Sequence, residues 1–322
     1  MKTGAEESKL NQALWYRHFG EPEQVLSLEA APKPPLAAGA VRVKMRLAPV
    51  NASDLIPITG AYQHRIALPQ IAGYEGTGVV TEAPPSHAFL LGKRVLALRG
   101  EGTWQRFTDV PADRVIRVPE NIDDTLAARA YINPLAARLM LDHFSPAGKH
   151  LLLTAAGSDC ALLAGQWALK AGALSVTGVH RSPVHAARLE ACGITPVQQN
   201  DSAALHHYAA RAALVYDATG GALAEEIRER MPTSGQFISY GLLSGQAFPL
   251  RQALPRVHWF HIRNYLPAMD AQAWQAIFAR LWPALAQSIT GSATCYAFDD
   301  WRAAITEWRS AGRTSKPLLR FA

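Results

Sequence analysis

The residues best placed to do chemistry lie in one short stretch, Ala155-Ala156-Gly157-Ser158-Asp159-Cys160. An apolar run, His150 to Thr154, precedes it and reads as a buried parallel strand. An apolar segment running to Lys170 at helical period follows. The first N–H groups of a helix have no internal partner, and the helix dipole is positive at that end. Strand, small-residue turn and helix together therefore make a seat for a diphosphate. The dinucleotide pattern is Gly-x-Gly-x-x-Gly, and this turn is an imperfect version of it. An ordinary strand–turn–helix without a ligand stays open on this stretch alone.

Other chemistries are poorly supplied. Cys160, Cys192 and Cys295 are far apart and odd in number, which suits core thiols in a reducing compartment and offers no zinc cluster. No Gly-x-Ser-x-Gly nucleophile elbow occurs. The net charge is +6, but residues 1–125 balance 14 basic against 14 acidic side chains. The excess is spread as isolated arginines without a basic run, which argues against nucleic acid and for a small-molecule partner. No run of eighteen apolar residues suggests a membrane span, and the polar N-terminus resembles neither a signal nor a transit peptide. A cytoplasmic protein is expected.

Two kinds of element must position the turn. Residues 13–120 read as a β-rich unit, with period-two stretches such as Val41–Leu47 and Arg114–Val118. A short helix is expected near Ser53, and a helical pattern from Asp123 to Leu141 that Pro134 kinks or restarts. From 149 to about 265 strand and helix alternate, the signature of a parallel sheet. Strands are predicted at 150–154, 174–179, 195–198, 213–217 and 235–240, with helices at 160–171, 183–191, 202–210 and 221–230. A long helix near 270–287, a strand at Ala293–Phe298, a helix at Asp299–Ser310 and a strand at Pro317–Phe321 complete the chain.

Several blocks together resemble the medium-chain dehydrogenase/reductase superfamily over nearly the whole length. They are Val50-Asn-Ala-Ser-Asp54, Gly60-Ala-Tyr62, Ile71–Val80 and the run 149–245. The pattern is most similar to the zinc-free branch of quinone reductases and 2-enoyl thioester reductases. The resemblance implies an α/β chain with a GroES-like β-rich domain (1–126 and 290–322) and a Rossmann doubly wound parallel-sheet domain (127–289). Zinc relatives carry a cysteine near Asn51 and Gly-His-Glu where this chain has Gly73-Tyr74-Glu75. The tetrahedral ligand set cannot be assembled here, and no metal is expected.

The resemblance also assigns a cofactor, NADPH. NAD-binding folds place an acid after the second strand, whereas this chain reads His180-Arg181-Ser182 there, with Arg188 in the next helix. These cations and hydroxyls suit a ribose 2′-phosphate, Arg181 foremost, with His185 a weaker candidate. Asp159 stands where the family has glycine; we expect it to cap the helix and point aside. Gly157, Ser158, Cys160, Asn133, Tyr240, Gly241, Leu242 and Lys316 are the remaining expected cofactor contacts.

For the reaction, the implied class is hydride addition to an activated C=C. Tyr62 is the expected proton donor or enolate partner, or else a loop anchor. Asn51 is also assigned to the catalytic residues. Trp104, in Gly102-Thr103-Trp104, is read as a pocket wall or a core residue. Trp259 and Phe260 line an acyl pocket or pack a homodimer interface formed by an edge strand around Val257–Tyr265. NADPH:quinone reduction is the alternative on this scaffold, and a non-catalytic NADPH- or RNA-binding role the third reading.

Overall fold

The computed structural model describes residues 10–61, 63–98, 102–250, 253 and 255–322. Eight strands come first: β1 (Leu10–Tyr16), β2 (Leu26–Pro32), β3 (Ala40–Pro49), β4 (Gln70–Ile71), β5 (Thr77–Glu82), β6 (Arg94–Leu96), β7 (Phe107–Pro111) and β8 (Ile116–Arg117). Six more follow: β9 (His150–Leu153), β10 (Ser175–His180), β11 (Thr195–Gln198), β12 (Leu214–Asp217), β13 (Gln236–Ser239) and β14 (Arg256–Trp259). β15 (Ser292–Ala297) and β16 (Ser315–Arg320) close the chain. Among the described residues no helix is long and apolar enough to cross a membrane.

The chain divides into two compact units, one of residues 1–132, 270–282 and 292–322, the other of 133–269 and 283–291. The boundary thus falls at 132/133, where the sequence suggested 126/127. Residues 270–282 count with the first unit for a local reason: the side chains of Trp274 and Gln275 donate to the carbonyls of Arg114 and Val115, at 2.8 and 2.9 Å.

In the first unit β2-β1-β4 form a small antiparallel sheet, and β15-β16-β3-β5-β6-β8 a larger one, with β7 also pairing β3. β3 is the axis of the larger sheet. Its alternation buries Val41, Val43 and Met45 in the core with Trp104, Val110 and Phe321. β16 brings the end of the chain back against β3, so Leu318 faces Pro49 and Lys316 enters the interior.

In the second unit the six strands are parallel in the order β11-β10-β9-β12-β13-β14. That is the 3-2-1-4-5-6 order of a dinucleotide-binding sheet, reversing between β9 and β12, and ligands of such sheets bind at the carboxyl ends of strands around that reversal.

Local departures have identifiable causes. The 123–141 helical pattern splits into Asp124–Ala127 and Ile132–His143, and Pro134 falls in the first turn of the second helix, where a missing N–H breaks no bond. The β14 edge ends at Trp259, not Tyr265, because His261 caps a 3₁₀ turn and Pro267 sits in another.

Candidate active site

Within the first unit, the residues expected to touch substrate are tied into the fold. Asn51 is 3% exposed and donates its amide to Glu75 Oε1 at 2.6 Å. The other oxygen of Glu75 accepts the backbone N–H groups of Tyr131 and Ile132, at 3.0 and 2.9 Å. Asp54, also buried, accepts from the backbone N–H groups of Asn51 (2.8 Å) and Tyr74 (3.0 Å). Two carboxylates and one ammonium, that of buried Lys316, therefore share the interior of one small region. Burial raises the Asp54 carboxyl to about 7, helped by the negative charge of Glu75 and opposed by backbone donors and Lys316. Burial raises Glu75 as well, and its hydrogen bonds and Lys316 pull it back.

Asn51 and Lys316, expected among the catalytic residues and the cofactor contacts, lie in the interior as neighbours of carboxylates. Trp104, read as a pocket wall or a core residue, is fully buried; its indole donates to the Pro49 carbonyl at 3.2 Å, and it forms part of the core. Gly73 is bare because a Cβ there would lie 2.3 Å from the Trp104 ring. Tyr62 lies outside the described residues. Among the described residues no group of three or more His, Cys, Asp or Glu side chains is placed to hold a metal ion.

In the second unit the phosphate turn is built as the strand–turn–helix pattern predicts, with one exchange of roles. The helix Asp159–Lys170 is capped by Ser158, whose hydroxyl accepts the Ala161 N–H at 3.3 Å; Asp159 is the first helical residue and not the cap. Ala155 bends the chain with φ +47, a left-handed conformation that L side chains disfavour. The His185 ring lies so close to Gly157 that a Cβ there would sit 2.6 Å from it. Arg188 donates to the Gly157 carbonyl at 3.1 Å. Arg188 therefore holds the turn, a role beyond the phosphate contact expected of it. Arg181 is exposed just beyond β10. His180 is buried, its Nδ1–H donating to the Ser182 carbonyl at 2.9 Å, so it shapes the bend that presents Arg181 and Ser182.

The Tyr240 phenol is held far above its ordinary range, chiefly by burial and then by the charge of the Cys160 and Asp217 groups, while the Ser158 hydroxyl opposes this. The loop after β13 is thus packed under the same turn. Gly241 has no room for a Cβ, which would meet the Ala218 carbonyl at 2.8 Å, and Leu242 reaches to 2.8 Å from a Cβ placed on Gly220. Asn133 is the second residue of the helix Ile132–His143. Trp259 and Phe260 part company: Trp259 is 57% exposed on the β14 edge, whereas Phe260 is buried with its ring 5.2 Å from that of Tyr265.

Sequence reasoning missed Thr154 and Asp217, at the ends of β9 and β12, where the strand order reverses. The Thr154 hydroxyl donates to Asp217 at 2.7 Å, and Asp217 also accepts the N–H groups of Thr219 and Gly220 at 3.0 Å. The available signal was an acid ending an apolar strand, Leu214-Val-Tyr-Asp217.

Residues 37–120 match the family model of the alcohol dehydrogenase GroES-like domain. A solved Bacillus thuringiensis protein, provisionally named an NADPH:quinone reductase, is 31% identical with a TM-score of 0.89, covering 97% of this chain and 99% of that one. Prostaglandin reductase-3 of Bos taurus is 29% identical over 275 residues, 77% of this chain and 72% of its own length. The mitochondrial enoyl-[acyl-carrier-protein] reductase of Xenopus tropicalis is 35% identical over 143 residues, 41% of this chain. That match spans only 39% of the frog protein's length. With the two units described above, these likenesses establish that the chain belongs to the medium-chain dehydrogenase/reductase superfamily, in its zinc-free reductase branch.

Proposed function

We propose that the chain is an NADPH-dependent, zinc-independent reductase of activated alkenes, acting on a 2-enoyl thioester or a related α,β-unsaturated carbonyl. The observation that carries this reading is the turn at Gly157, where Arg188 and His185 gather at the N-terminus of the Asp159–Lys170 helix while Arg181 stands exposed beyond β10. An anionic nucleotide suits that combination of cations and unsatisfied N–H groups, and the missing acid after β10 suits a 2′-phosphate over a free hydroxyl. The names of the relatives, an NADPH:quinone reductase, an enoyl reductase and a prostaglandin reductase, support the same class.

When bound, NADPH supplies a hydride to the β carbon of the alkene. The chain supplies position and charge. Ser158, Cys160 and Gly157 seat the diphosphate, Arg181 and Ser182 take the 2′-phosphate, and Tyr240, Gly241 and Leu242 support the loop beside it. Tyr62 donates a hydrogen bond or proton to the enolate as it forms. The apolar Trp259 on the β14 edge suits a homodimer contact, since pairing would cover an open strand edge. Three free cysteines suit a reducing compartment such as the cytoplasm.

NADPH oxidation with crotonyl-CoA, set against 1,4-benzoquinone, tests the reading. Turnover of crotonyl-CoA that falls in Tyr62→Phe is expected. Turnover of quinone alone, indifferent to Tyr62→Phe, would select the quinone reductase alternative, in which solvent protonates the product.

A further inference from the structure

The diphosphate turn follows β9 and the Arg181-Ser182 bend follows β10, so the two come from different segments. A backbone bond from the Ala156 N–H to the Val179 carbonyl, at 2.9 Å, joins the segments two residues before Arg181. Beyond that bond the link is His185. It ends the 3₁₀ turn Pro183–His185, and its N–H bonds the Ser182 carbonyl at 3.3 Å. The same oxygen accepts His180 Nδ1–H, so the bend is held from both sides.

The His185 ring reaches the other segment. A Cβ built on Gly157 would lie 2.6 Å from its Cδ2 and 2.7 Å from both Cγ and Nε2. An approach in the ring plane would bring Cδ2 much closer than its two neighbours. Near-equal distances therefore put Gly157 against the flat face of the imidazole, and any side chain at 157 would displace the ring. Arg188, three residues on, donates through Nη2 to the Gly157 carbonyl at 3.1 Å and to His185 Nδ1 at 3.4 Å. An arginine can only donate, so Nδ1 is the acceptor. That second bond is long and correspondingly weak, which leaves the packed ring face as the larger part of the link.

We propose that His185 is a positioning residue for NADPH. Its ring sets the spacing between the diphosphate turn and the Arg181-Ser182 bend, and it acts through those two segments without touching phosphate itself. This rests on the NADPH reading and deepens it. The consequence is selective. NADH has no 2′-phosphate and needs only the turn, which Arg188 and the Ser158 cap still hold. NADPH needs turn and bend in register, because charge-assisted bonds to phosphate are short and directional.

Titration of NADPH and of NADH into the full chain tests this. In His185→Ala the preference for NADPH should fall by about tenfold, up to what one charge-assisted bond supplies. NADH affinity should stay within about twofold. His185→Phe keeps a flat ring on Gly157 and should match wild type within about twofold for both nucleotides. A histidine that touched the phosphate would lose as much in His185→Phe as in His185→Ala, and that result overturns the proposal. His185→Leu, which fills space without a flat face, should fall as the alanine variant does and serves if that variant does not fold.

The double variant Arg181→Ser/His185→Ala should lose no more preference than Arg181→Ser, because the histidine works through the bend. An additive further loss overturns the role. So does equal loss on both nucleotides in His185→Ala, or loss on neither; a wild type that still prefers NADPH then leaves the cofactor reading standing. A wild type that binds neither nucleotide overturns the cofactor reading and this role together.

Discussion

Asn51 donates its side-chain amide to Glu75 across 2.6 Å of buried interior. By the resemblance, zinc relatives carry a cysteine near Asn51 and a histidine where this chain has Tyr74; here the Asn51 amide is engaged by the glutamate that follows Tyr74. Asn51→Ala should destabilise the protein by about 1.5–3 kcal/mol, because Glu75 Oε1 loses a donor to a charged acceptor. Urea unfolding monitored by tryptophan fluorescence measures it. A change under about 0.5 kcal/mol would mean that Glu75 is solvated in a way this geometry does not allow.

Asp54 makes the stability of the first unit depend on pH. Its folded carboxyl sits near 7 against an ordinary 3.8, raised first by burial. The native state therefore keeps a proton that the unfolded chain releases. Relative stability from this group is full below pH 3.8 and is lost as pH rises through about 7. The thermal midpoint should thus fall between about pH 4 and pH 7 and level off above it. Lys316→Met removes the ammonium that lowers both carboxyls and should move that fall to higher pH. A midpoint rising over the same window would contradict the assignment.

The parallel sheet was legible because its strands are buried on both faces and read as apolar runs bounded by small residues. His150–Leu153 and Leu214–Asp217 are examples. The roles of single polar side chains were not legible, because they depend on long-range neighbours. Ser158 and Asp159 are equally good cap residues by type, and only the path of the turn makes Ser158 the cap. Lys316 has the composition of a surface residue, yet β16 pairing with β3 carries it inside, next to carboxylates from distant segments.

Ala155 is a strained position. A left-handed φ of +47 costs an L residue about 1–2 kcal/mol. Glycine relieves that cost but loses about 0.5–1 kcal/mol more conformational entropy on folding. The strain is the larger effect, so Ala155→Gly should stabilise the protein by up to about 1 kcal/mol. Calorimetry is the check, and a lowered melting temperature would mean the turn is not held as described.

Arg181 should govern cofactor choice. It is exposed beyond β10, and His180 is fixed through its bond to the Ser182 carbonyl, so the bend itself does not depend on the arginine side chain. Arg181→Ser should lower kcat/KM for NADPH by about 10–100-fold, the loss of one charge-assisted phosphate contact, and leave NADH nearly unchanged. Steady-state kinetics with the two nucleotides separate these outcomes. Equal loss with both would place the effect in the fold of the bend instead of the 2′-phosphate.

Asp159 sets two effects against each other. As the first residue of the Asp159–Lys170 helix its carboxylate favours the helix dipole by about 0.3–1 kcal/mol. If the carboxylate turns toward a diphosphate seated at this helix end, like charges at close range in a half-buried site oppose binding by at least as much. Asp159→Gly should therefore bind NADPH more tightly, by about 2–5-fold on that scale, and melt at a lower temperature, because the charge and a better helix former are both lost. Titration calorimetry and thermal melts of the two proteins read both changes on the same samples. Unchanged affinity with lowered stability would show that the carboxylate turns away from the diphosphate, and no binding by either protein would remove the nucleotide from the reading altogether.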